Sequence, residues 1–203
     1  MIDAKGRFVI ENYGRKPAFA SFLPGISGIC GIPLWCYYVN RGQCISCFGS
    51  EDKDHSIMEF VPAHQAYLHT GRMGYRTFLK VNGKFYEAFA DTDREQTMYI
   101  DQNVLTIEEK AWVQGITTRV TYYTLPEERL GALVRKVELQ NMKEQPVEIE
   151  YLDGAPAIVP YGVNLDSMKN MTQTAKAWMQ VEDVEQGRPY FRVRASMEDS
   201  TQV

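Results

Sequence analysis

Short runs of alternating apolar and polar residues, separated by turn residues, recur along most of the chain. In the clearest case, residues 78–81 and 84–86 flank the dipeptide Asn82-Gly83. Asn-Gly supplies the two positive φ angles that a type I′ turn requires, so this stretch predicts a β-hairpin. A period of two places alternate side chains on one face of a strand, whereas a helix needs a period of about 3.6. The dominant secondary structure is therefore predicted to be antiparallel β-sheet.

The remaining strand signals occur in pairs, each broken by a short turn. The pairs are residues 34–39 with 43–48, 104–113 with 116–125, 130–139 with 146–152, and 173–181 with 190–197. Helix signals are weak, because Pro62 interrupts the best candidate, residues 58–68, and leaves room for only a turn or two. About ten short strands with almost no helix are typical of an all-β sandwich. We expect an antiparallel β super-sandwich that forms a single domain over residues 1–203.

The length, composition and net charge of the chain exclude several classes of function. The chain has 203 residues, of which 44% are apolar and 24% charged, so it can bury a core and is not disordered as a whole. Its net charge of −4 offers no basic excess for nucleic acid. The sequence has no apolar run long enough to span a membrane and no apolar signal-peptide core. We expect a cytoplasmic protein that engages neither nucleic acid nor a membrane.

The four cysteines are interpreted as reduced, buried side chains. Cys44 and Cys47 have the spacing of half a zinc knuckle, but Cys30 and Cys36 are spaced poorly for the other half. The segment is also predicted to be a strand, where residues three apart point to opposite faces. No metal site is therefore predicted.

No common catalytic motif is present in the sequence. The chain lacks a Gly-x-Ser-x-Gly elbow, a phosphate-binding glycine-rich loop and a His-Glu-x-x-His motif. His55, His64 and His69 are nine and five positions apart, which does not match two metal ligands on one helix face. No catalytic residue and no cofactor are predicted for this chain.

Aromatic residues are dense in the first third of the chain. Proteins meet the apolar C–H faces of sugars with aromatic side chains set beside polar and charged groups. Aromatic residues are also good strand formers, so most of these rings are expected in the sandwich core. The candidate sugar-binding or interface residues are Trp35, Tyr38, Arg41, His64 and Tyr67.

Residues 22–33 form an apolar segment broken by glycines and prolines. The glycines and prolines argue against a regular strand, and the apolar residues argue against a free loop. Two alternatives stay open. The segment lies against another domain or a second subunit, near the sugar, or Ile26, Ile29 and Ile32 plug one end of the sandwich.

Several pieces of the sequence occur in the order found in one enzyme family. They are residues 8–12 (FVIEN), 75–89 around Asn82-Gly83, 115–126 (GITTRVTYYTLP), a strand ending at residues 138–141 (ELQN), and a returning strand at 146–151. In this order the chain resembles the N-terminal β-sandwich of family 94 glycoside phosphorylases, the cellobiose phosphorylase group. Residues 38–42 and 52–60 are most similar to the β-1,2-oligoglucan phosphorylase branch. Residues 101–106 lack the His-Gly-x-Gly-Tyr element of cellobiose phosphorylases, which argues against cellobiose as the substrate.

The resemblance implies a domain of a longer enzyme. In the family, a β super-sandwich similar to that of galactose mutarotase precedes an (α/α)6 barrel that carries the catalytic acid. Inorganic phosphate replaces the water and base of an inverting hydrolase and attacks the anomeric carbon. The chain is then expected to be a non-catalytic N-terminal fragment that binds β-glucan oligosaccharides, contacts the barrel and forms a homodimer. Phosphate would be the co-substrate of the parent enzyme.

Two other functions stay open. A free-standing carbohydrate-binding module would use the same aromatic residues without a barrel. A complete enzyme of the mutarotase type would need a histidine and a glutamate that face each other across a sheet. The sequence pattern pairs none of His55, His64 and His69 with a strand glutamate.

Overall fold

The structure, a computed structural model, describes residues 1–156, 158, 170 and 179–193. These residues form an all-β, sandwich-like fold of antiparallel strands with the helix α1 (Ala63–Met73), which confirms the predicted fold class. The strands are β1 (Phe8–Glu11), β2 (Ala20–Leu23), β3 (Ile26–Ser27), β4 (Ile32–Val39), β5 (Ile45–Ser50), β6 (Arg76–Val81), β7 (Lys84–Ala88), β8 (Glu95–Ile100), β9 (Val104–Ala111), β10 (Ile116–Thr124), β11 (Leu133–Asn141), β12 (Ile149–Gly154), β13 (Met179–Glu182) and β14 (Tyr190–Val193).

The larger layer is a five-stranded sheet in the order β1-β8-β9-β10-β11, antiparallel throughout. Its strands alternate as the sequence predicts. In β9, Leu105, Ile107, Glu109 and Ala111 are buried, and the residues between them are partly exposed. This pattern is typical of a sheet with one face on the core and the other toward solvent.

The second layer consists of two smaller sheets. In one, β6 pairs with β12 on one edge and with β7 on the other. In the other, β4 pairs with β5 on one edge and with β2 and β3 on the opposite edge. β4 is therefore hydrogen-bonded along both edges, as a central strand.

The segment at residues 22–33 belongs to this second sheet. β2 and β3 keep one register along β4, and between them the carbonyl of Gly25 accepts a hydrogen bond from the Leu34 N–H at 3.1 Å. Pro24 and Gly25 therefore interrupt the strand without shifting its register. The prediction that this segment has no ladder strand is wrong, because a proline is tolerated where it breaks a strand locally.

The two layers enclose a principal core, and a second cluster lies on the other side of β4 beneath α1. Successive side chains of β4 point to these two places in turn, because neighbouring residues of a strand face opposite ways. The principal core includes Cys36, Tyr38, Leu79, Tyr86, Met98, Ile107, Val120 and Tyr122. The second cluster includes Tyr37, Val39, Cys47, Met58 and Ala66.

The helix α1 begins immediately after Pro62 and continues to Met73, well past the turn or two that was predicted. The carbonyl of Pro62 accepts hydrogen bonds from the N–H groups of Gln65 and Ala66, both at 2.9 Å. A proline at the position before a helix loses no helical hydrogen bond, because the N–H of a residue at that position has no carbonyl partner within the helix. Pro62 does exclude residues 58–61 from the helix, as predicted, but the predicted length of a turn or two is wrong, because the helix has 11 residues.

The predicted pairing of residues 130–139 with 146–152 is also wrong. β11 pairs with β10 in the first layer, whereas β12 pairs with β6 in the second. The connection between them crosses from one layer to the other. The Met142 N–H donates to the Gly115 carbonyl at 2.9 Å, and the Asn82 N–H donates to the Glu148 carbonyl at 3.1 Å.

The other predicted pairs are confirmed where the structure describes them. β4 pairs with β5, β6 with β7, β9 with β10 and β13 with β14. Residues 173–178 and 194–197 of the last predicted pair lie outside the described residues.

The cysteines are free, and three of them are buried. Burial raises the pKa values of the Cys36, Cys44 and Cys47 thiols, so these side chains are neutral at neutral pH. The interpretation as buried thiols is confirmed for these three. It is wrong for Cys30, which is exposed in the turn between β3 and β4.

The turn between β6 and β7 provides a test of the fold. Asn82 and Gly83 have φ angles of 47° and 79°, as a type I′ turn requires. Gly83→Val is expected to lower the free energy of unfolding by ~1–2 kcal/mol, because a β-branched residue is strained at positive φ. Crowding does not contribute, since no atom lies within 4 Å of a Cβ placed there. Thermal and denaturant unfolding measure the change.

The matched control is Gly71→Ala in α1, where a Cβ also has open space and φ is ordinary. This variant is expected to gain about 0.5–1 kcal/mol, because alanine is the better helix former. An unchanged unfolding midpoint for Gly83→Val would contradict the type I′ assignment.

Candidate functional site

Three aromatic rings on the outer face of β2 and β4, together with Phe60 from the segment before α1, form a group of contacting rings. We call Phe22, Trp35, Tyr37 and Phe60 the outer aromatic cluster. Phe22 lies opposite Tyr37 in the strand register, and their ring centroids are 4.9 Å apart. Phe60, from the segment before α1, lies 5.6 Å from Tyr37 and 5.9 Å from Trp35, centroid to centroid. These separations are favourable for aromatic pairs, so the rings support one another.

The outer aromatic cluster is open to solvent on one side. Phe22 is 55% exposed, Trp35 and Phe60 are partly exposed, and Tyr37 is buried beneath them. The Trp35 indole N–H donates to the Asp52 carbonyl at 3.2 Å, which orients the ring. Burial is the main cause that raises the pKa of Tyr37, and the neighbouring Tyr67 raises it further. The phenol of Tyr37 is therefore neutral. The cluster therefore offers a neutral and partly apolar surface.

The structure brings together only some of the candidate residues. Trp35 and Tyr67 both pack against the second cluster under α1, and His64 is exposed on the same helix, one turn before Tyr67. Tyr38 points the opposite way and is buried in the principal core. Arg41 follows the far end of β4, where its guanidinium donates to the Asn40 carbonyl at 2.7 Å.

Phe22, Tyr37 and Phe60 are members of the outer aromatic cluster that were not among the candidate sugar-binding residues. The register of β2 along β4 would have placed Phe22 beside Tyr37, but Pro24 and Gly25 obscured that strand. Phe60 joins the cluster through tertiary contacts of an irregular segment, for which the sequence carries no periodic signal.

The ribbon formed by β3 and the start of β4 presents apolar side chains to solvent. Ile26, Ile29 and Ile32 are all exposed, so the hypothesis that they plug one end of the sandwich is wrong. Ser27 of β3 is fully buried and anchors this ribbon to the neighbouring backbone. Its hydroxyl donates to the Leu125 carbonyl at 2.7 Å and accepts from the Ala132 N–H at 2.8 Å. The alternative, an interface with another domain or subunit, stays a prediction.

Glu109 is a fully buried ionisable residue on the inner face of β9. Its carboxylate accepts hydrogen bonds from the Phe89 N–H at 2.8 Å, Gln96 Nε2 at 2.9 Å and Arg94 Nη1 at 3.3 Å. Burial raises its pKa, and these donors only partly oppose the rise. Phe89 has a φ of 64°, which is uncommon for a bulky residue. Glu109 therefore stabilises the turn after β7, which is a structural role.

Arg135 of β11 and Asp153 of β12 form an ion pair that joins the two layers. Both terminal nitrogens of Arg135 donate to the carboxylate, with Nη2 at 2.8 Å from Oδ1. Nη2 also contacts Gln43 Oε1 at 2.5 Å and Thr77 Oγ1 at 3.1 Å. The guanidinium lies 4.8 Å from the centre of the Tyr75 ring. This network holds Asp153 in one orientation.

The described residues contain no recognisable catalytic arrangement. His55 lies 2.8 Å from Asp52 Oδ1 in a short turn, and His64 and His69 are exposed on α1. Across the described ranges, no three His, Cys, Asp or Glu side chains are grouped so that they could hold a metal ion. In the same part of the chain, no helix is both long enough and apolar enough to cross a membrane.

The chain is an all-β, sandwich-like protein with an exposed aromatic cluster on its second layer. Comparison with models of known protein families finds no matching family, and comparison with curated proteins finds no match. The resemblance to family 94 phosphorylases therefore depends on the sequence pieces quoted above and stays a prediction.

The pKa of Glu109 leads to a prediction about pH. The Glu109→Gln variant has no ionisable group at this position, and it keeps a side-chain oxygen that can accept a hydrogen bond from the Phe89 N–H. Because the folded chain raises this pKa above 4.5, it binds the proton more tightly than the unfolded chain does. As pH rises from about 4.5 through the folded pKa, the wild type should therefore lose stability relative to the variant.

Denaturant unfolding of both proteins at a series of pH values measures this difference. Other ionisable groups titrate alike in the two chains, so subtraction isolates Glu109. A wild type that gains stability relative to Glu109→Gln as pH rises would contradict the raised pKa.

Proposed function

We propose that this chain is a carbohydrate-binding domain without a catalytic centre of its own. In this proposal it is the N-terminal β-sandwich of an inverting glycoside phosphorylase that acts on β-linked gluco-oligosaccharides. The observation that carries the proposal is the outer aromatic cluster, with Phe22 exposed over a buried Tyr37. The sequence resemblance supplies the enzyme class, and the all-β fold is compatible with it.

The chemistry of the cluster suits a sugar. A pyranose ring has an apolar C–H face and a rim of hydroxyl groups, and proteins bind it with an aromatic surface beside polar groups. Exposed polar residues are near Phe60 in the chain: Glu59 directly precedes it, and His64 lies in the first turn of α1. Trp35 and Tyr67, which were predicted as sugar residues, lie in the same part of the fold.

The exposed ribbon supports the second part of the proposal, contact with a catalytic barrel or a second subunit. Ile26 and Ile29 are exposed on a ribbon whose base is anchored by the buried Ser27. Exposed apolar groups on an ordered support are typical of protein interfaces. In the parent enzyme, the catalytic acid and the phosphate would belong to the barrel and not to this domain.

Saccharide binding is expected to depend on Phe22. Titration of the 203-residue chain with gluco-oligosaccharides, followed by calorimetry, should show binding that Phe22→Ala weakens about tenfold, or ~1.4 kcal/mol, because one ring contact is lost. Phe85→Ala is the matched control, since Phe85 is also an exposed phenylalanine, 78% against 55%, but lies on β7. If Phe22→Ala and Phe85→Ala weakened saccharide binding equally, or if neither variant weakened it, the result would contradict a site at the outer aromatic cluster.

The chain is also expected to have no catalytic activity by itself. Incubation of residues 1–203 with β-linked gluco-oligosaccharides and inorganic phosphate should release no glucose 1-phosphate and no free glucose. The reason is that the catalytic acid of the proposed parent enzyme would belong to the barrel, and that Glu109, a fully buried carboxylate of this chain, is engaged with three structural donors. Phosphate-dependent release of glucose 1-phosphate would refute the non-catalytic assignment.

A further inference from the structure

β11 forms one edge of the five-stranded sheet. It pairs with β10 over all nine of its residues, and among the described residues no strand pairs with its other edge. The edge strands β1, β7 and β12 are shorter, with four, five and six residues. A long strand edge with free N–H and carbonyl groups is a template for pairing with a further strand.

The backbone groups on the free edge belong to the odd-numbered residues of β11. On the side of β10, the Ala132 carbonyl accepts from the Leu125 N–H and the Met142 N–H donates to the Gly115 carbonyl, both at 2.9 Å. Successive residues of an antiparallel strand direct their backbone groups to opposite edges. The N–H and carbonyl groups of residues 133, 135, 137, 139 and 141 therefore face away from β10.

The outer face of β11 carries two opposite charges, two positions apart. The side chains of Lys136 and Glu138 are 57% and 45% exposed, and their charged atoms are 2.9 Å apart. Val137 lies between them in the chain and faces the inner side, opposite Val120 of β10. A positive and a negative charge placed symmetrically about one residue are complementary to themselves under a two-fold rotation.

The charges favour one register for the pairing of two β11 strands. With a two-fold axis at Val137, Lys136 of each copy lies opposite Glu138 of the other, and the free backbone groups of the odd-numbered residues face each other. An axis at Lys136 or at Glu138 also brings odd-numbered residues together, but it places like charges opposite each other, which is destabilising. Registers centred further along the strand leave more of it unpaired.

The sandwich is also open on the side where β11 lies. Tyr151 of β12 is opposite the fully buried Leu79 in the strand register and so points toward the interior, yet it is 73% exposed. β12 lies on this side because Asp153 is paired with Arg135 of β11. The inward-facing apolar residues of β11 are only partly buried against the principal core: Leu133, Val137 and Leu139. A second copy along β11 would cover these apolar groups.

We propose that the free edge of β11 is a dimer interface, where two copies of this chain pair antiparallel about a two-fold axis at Val137. The two five-stranded sheets then form one continuous sheet. Lys136 and Glu138 form two ion pairs across the axis, and backbone hydrogen bonds join the odd-numbered residues. This interface is separate from the exposed ribbon and needs neither a saccharide nor a catalytic barrel, so the inference goes beyond the proposed function.

Sedimentation equilibrium of the 203-residue chain at a series of concentrations tests the proposal. A dimer that dissociates on dilution is expected. Lys136→Glu places two acidic side chains opposite each other on both sides of the axis, so it should weaken the dimer at least about tenfold. The double variant Lys136→Glu/Glu138→Lys restores opposite charges at both places and should restore the dimer.

Lys110→Glu is the matched control. Lys110 is also a lysine on the outer face of this sheet, 35% exposed and paired with Glu95, but β10 separates its strand from the free edge. This variant should leave the dissociation constant of the dimer unchanged. An equal effect of Lys110→Glu and Lys136→Glu would overturn the assignment to β11.

Amide hydrogen exchange identifies the paired edge directly. The amides of Arg135, Val137 and Leu139 are expected to be protected at concentrations where the dimer forms and to exchange rapidly on dilution. The amides of Lys136 and Glu138 face β10, so they should stay protected under both conditions. A dimer in which the odd-numbered amides of β11 exchange rapidly would overturn the proposed pairing.

Two further outcomes would overturn the proposal. One is a chain that stays monomeric at about 1 mM, in which Lys136 would act as a charge that protects a sheet edge from pairing. The other is a dimer that Lys136→Glu leaves intact and that Ile26→Asp dissociates, which would place the interface at the exposed ribbon. Calorimetry with saccharides tests the outer aromatic cluster separately, because Lys136→Glu should leave saccharide binding unchanged.

Discussion

The structure depends on β4 being buried on both faces and paired along both edges. Cys36 and Tyr38 point into the principal core, whereas Tyr37 and Val39 point into the second cluster beneath α1. A strand in this position cannot shift by one residue, because every side chain would then face the wrong environment. The position of the outer aromatic cluster follows directly, since Tyr37 has to face outward where Phe22 and Phe60 cover it.

Ring contacts and an ion pair stabilise different parts of the second layer. At the outer aromatic cluster, ring contacts hold an apolar surface open to solvent, with Phe22 as its exposed member. Between the layers, Arg135 of β11 pairs with Asp153 of β12. A buried ion pair contributes little net stability compared with apolar residues of the same size. Its role here is therefore to orient Asp153 and to connect β12 to the other layer.

At Glu109, hydrogen bonds to a buried carboxylate stabilise the fold. There the carboxylate is surrounded by donors from the turn after β7 and from β8, so its hydrogen-bonding capacity serves the fold. Asp153 is partly accessible and Glu109 is not, although both carboxylates point toward the interior between the layers. Both carboxylates therefore stabilise the fold, Glu109 through the turn after β7 and Asp153 through its ion pair with Arg135 of the other layer.

The sequence by itself determined most of the strands, the Asn82-Gly83 turn and the all-β class, because periodicity and a requirement for positive φ are local properties of the chain. Tertiary structure alone decided that β12 pairs with β6 and not with β11, since alternation does not identify a neighbour. It also decided that Tyr38 faces the core, and that Arg135 and Gln43, 92 positions apart, meet between the layers. Such contacts arise from long-range burial and charge pairing, which no local pattern of residues encodes.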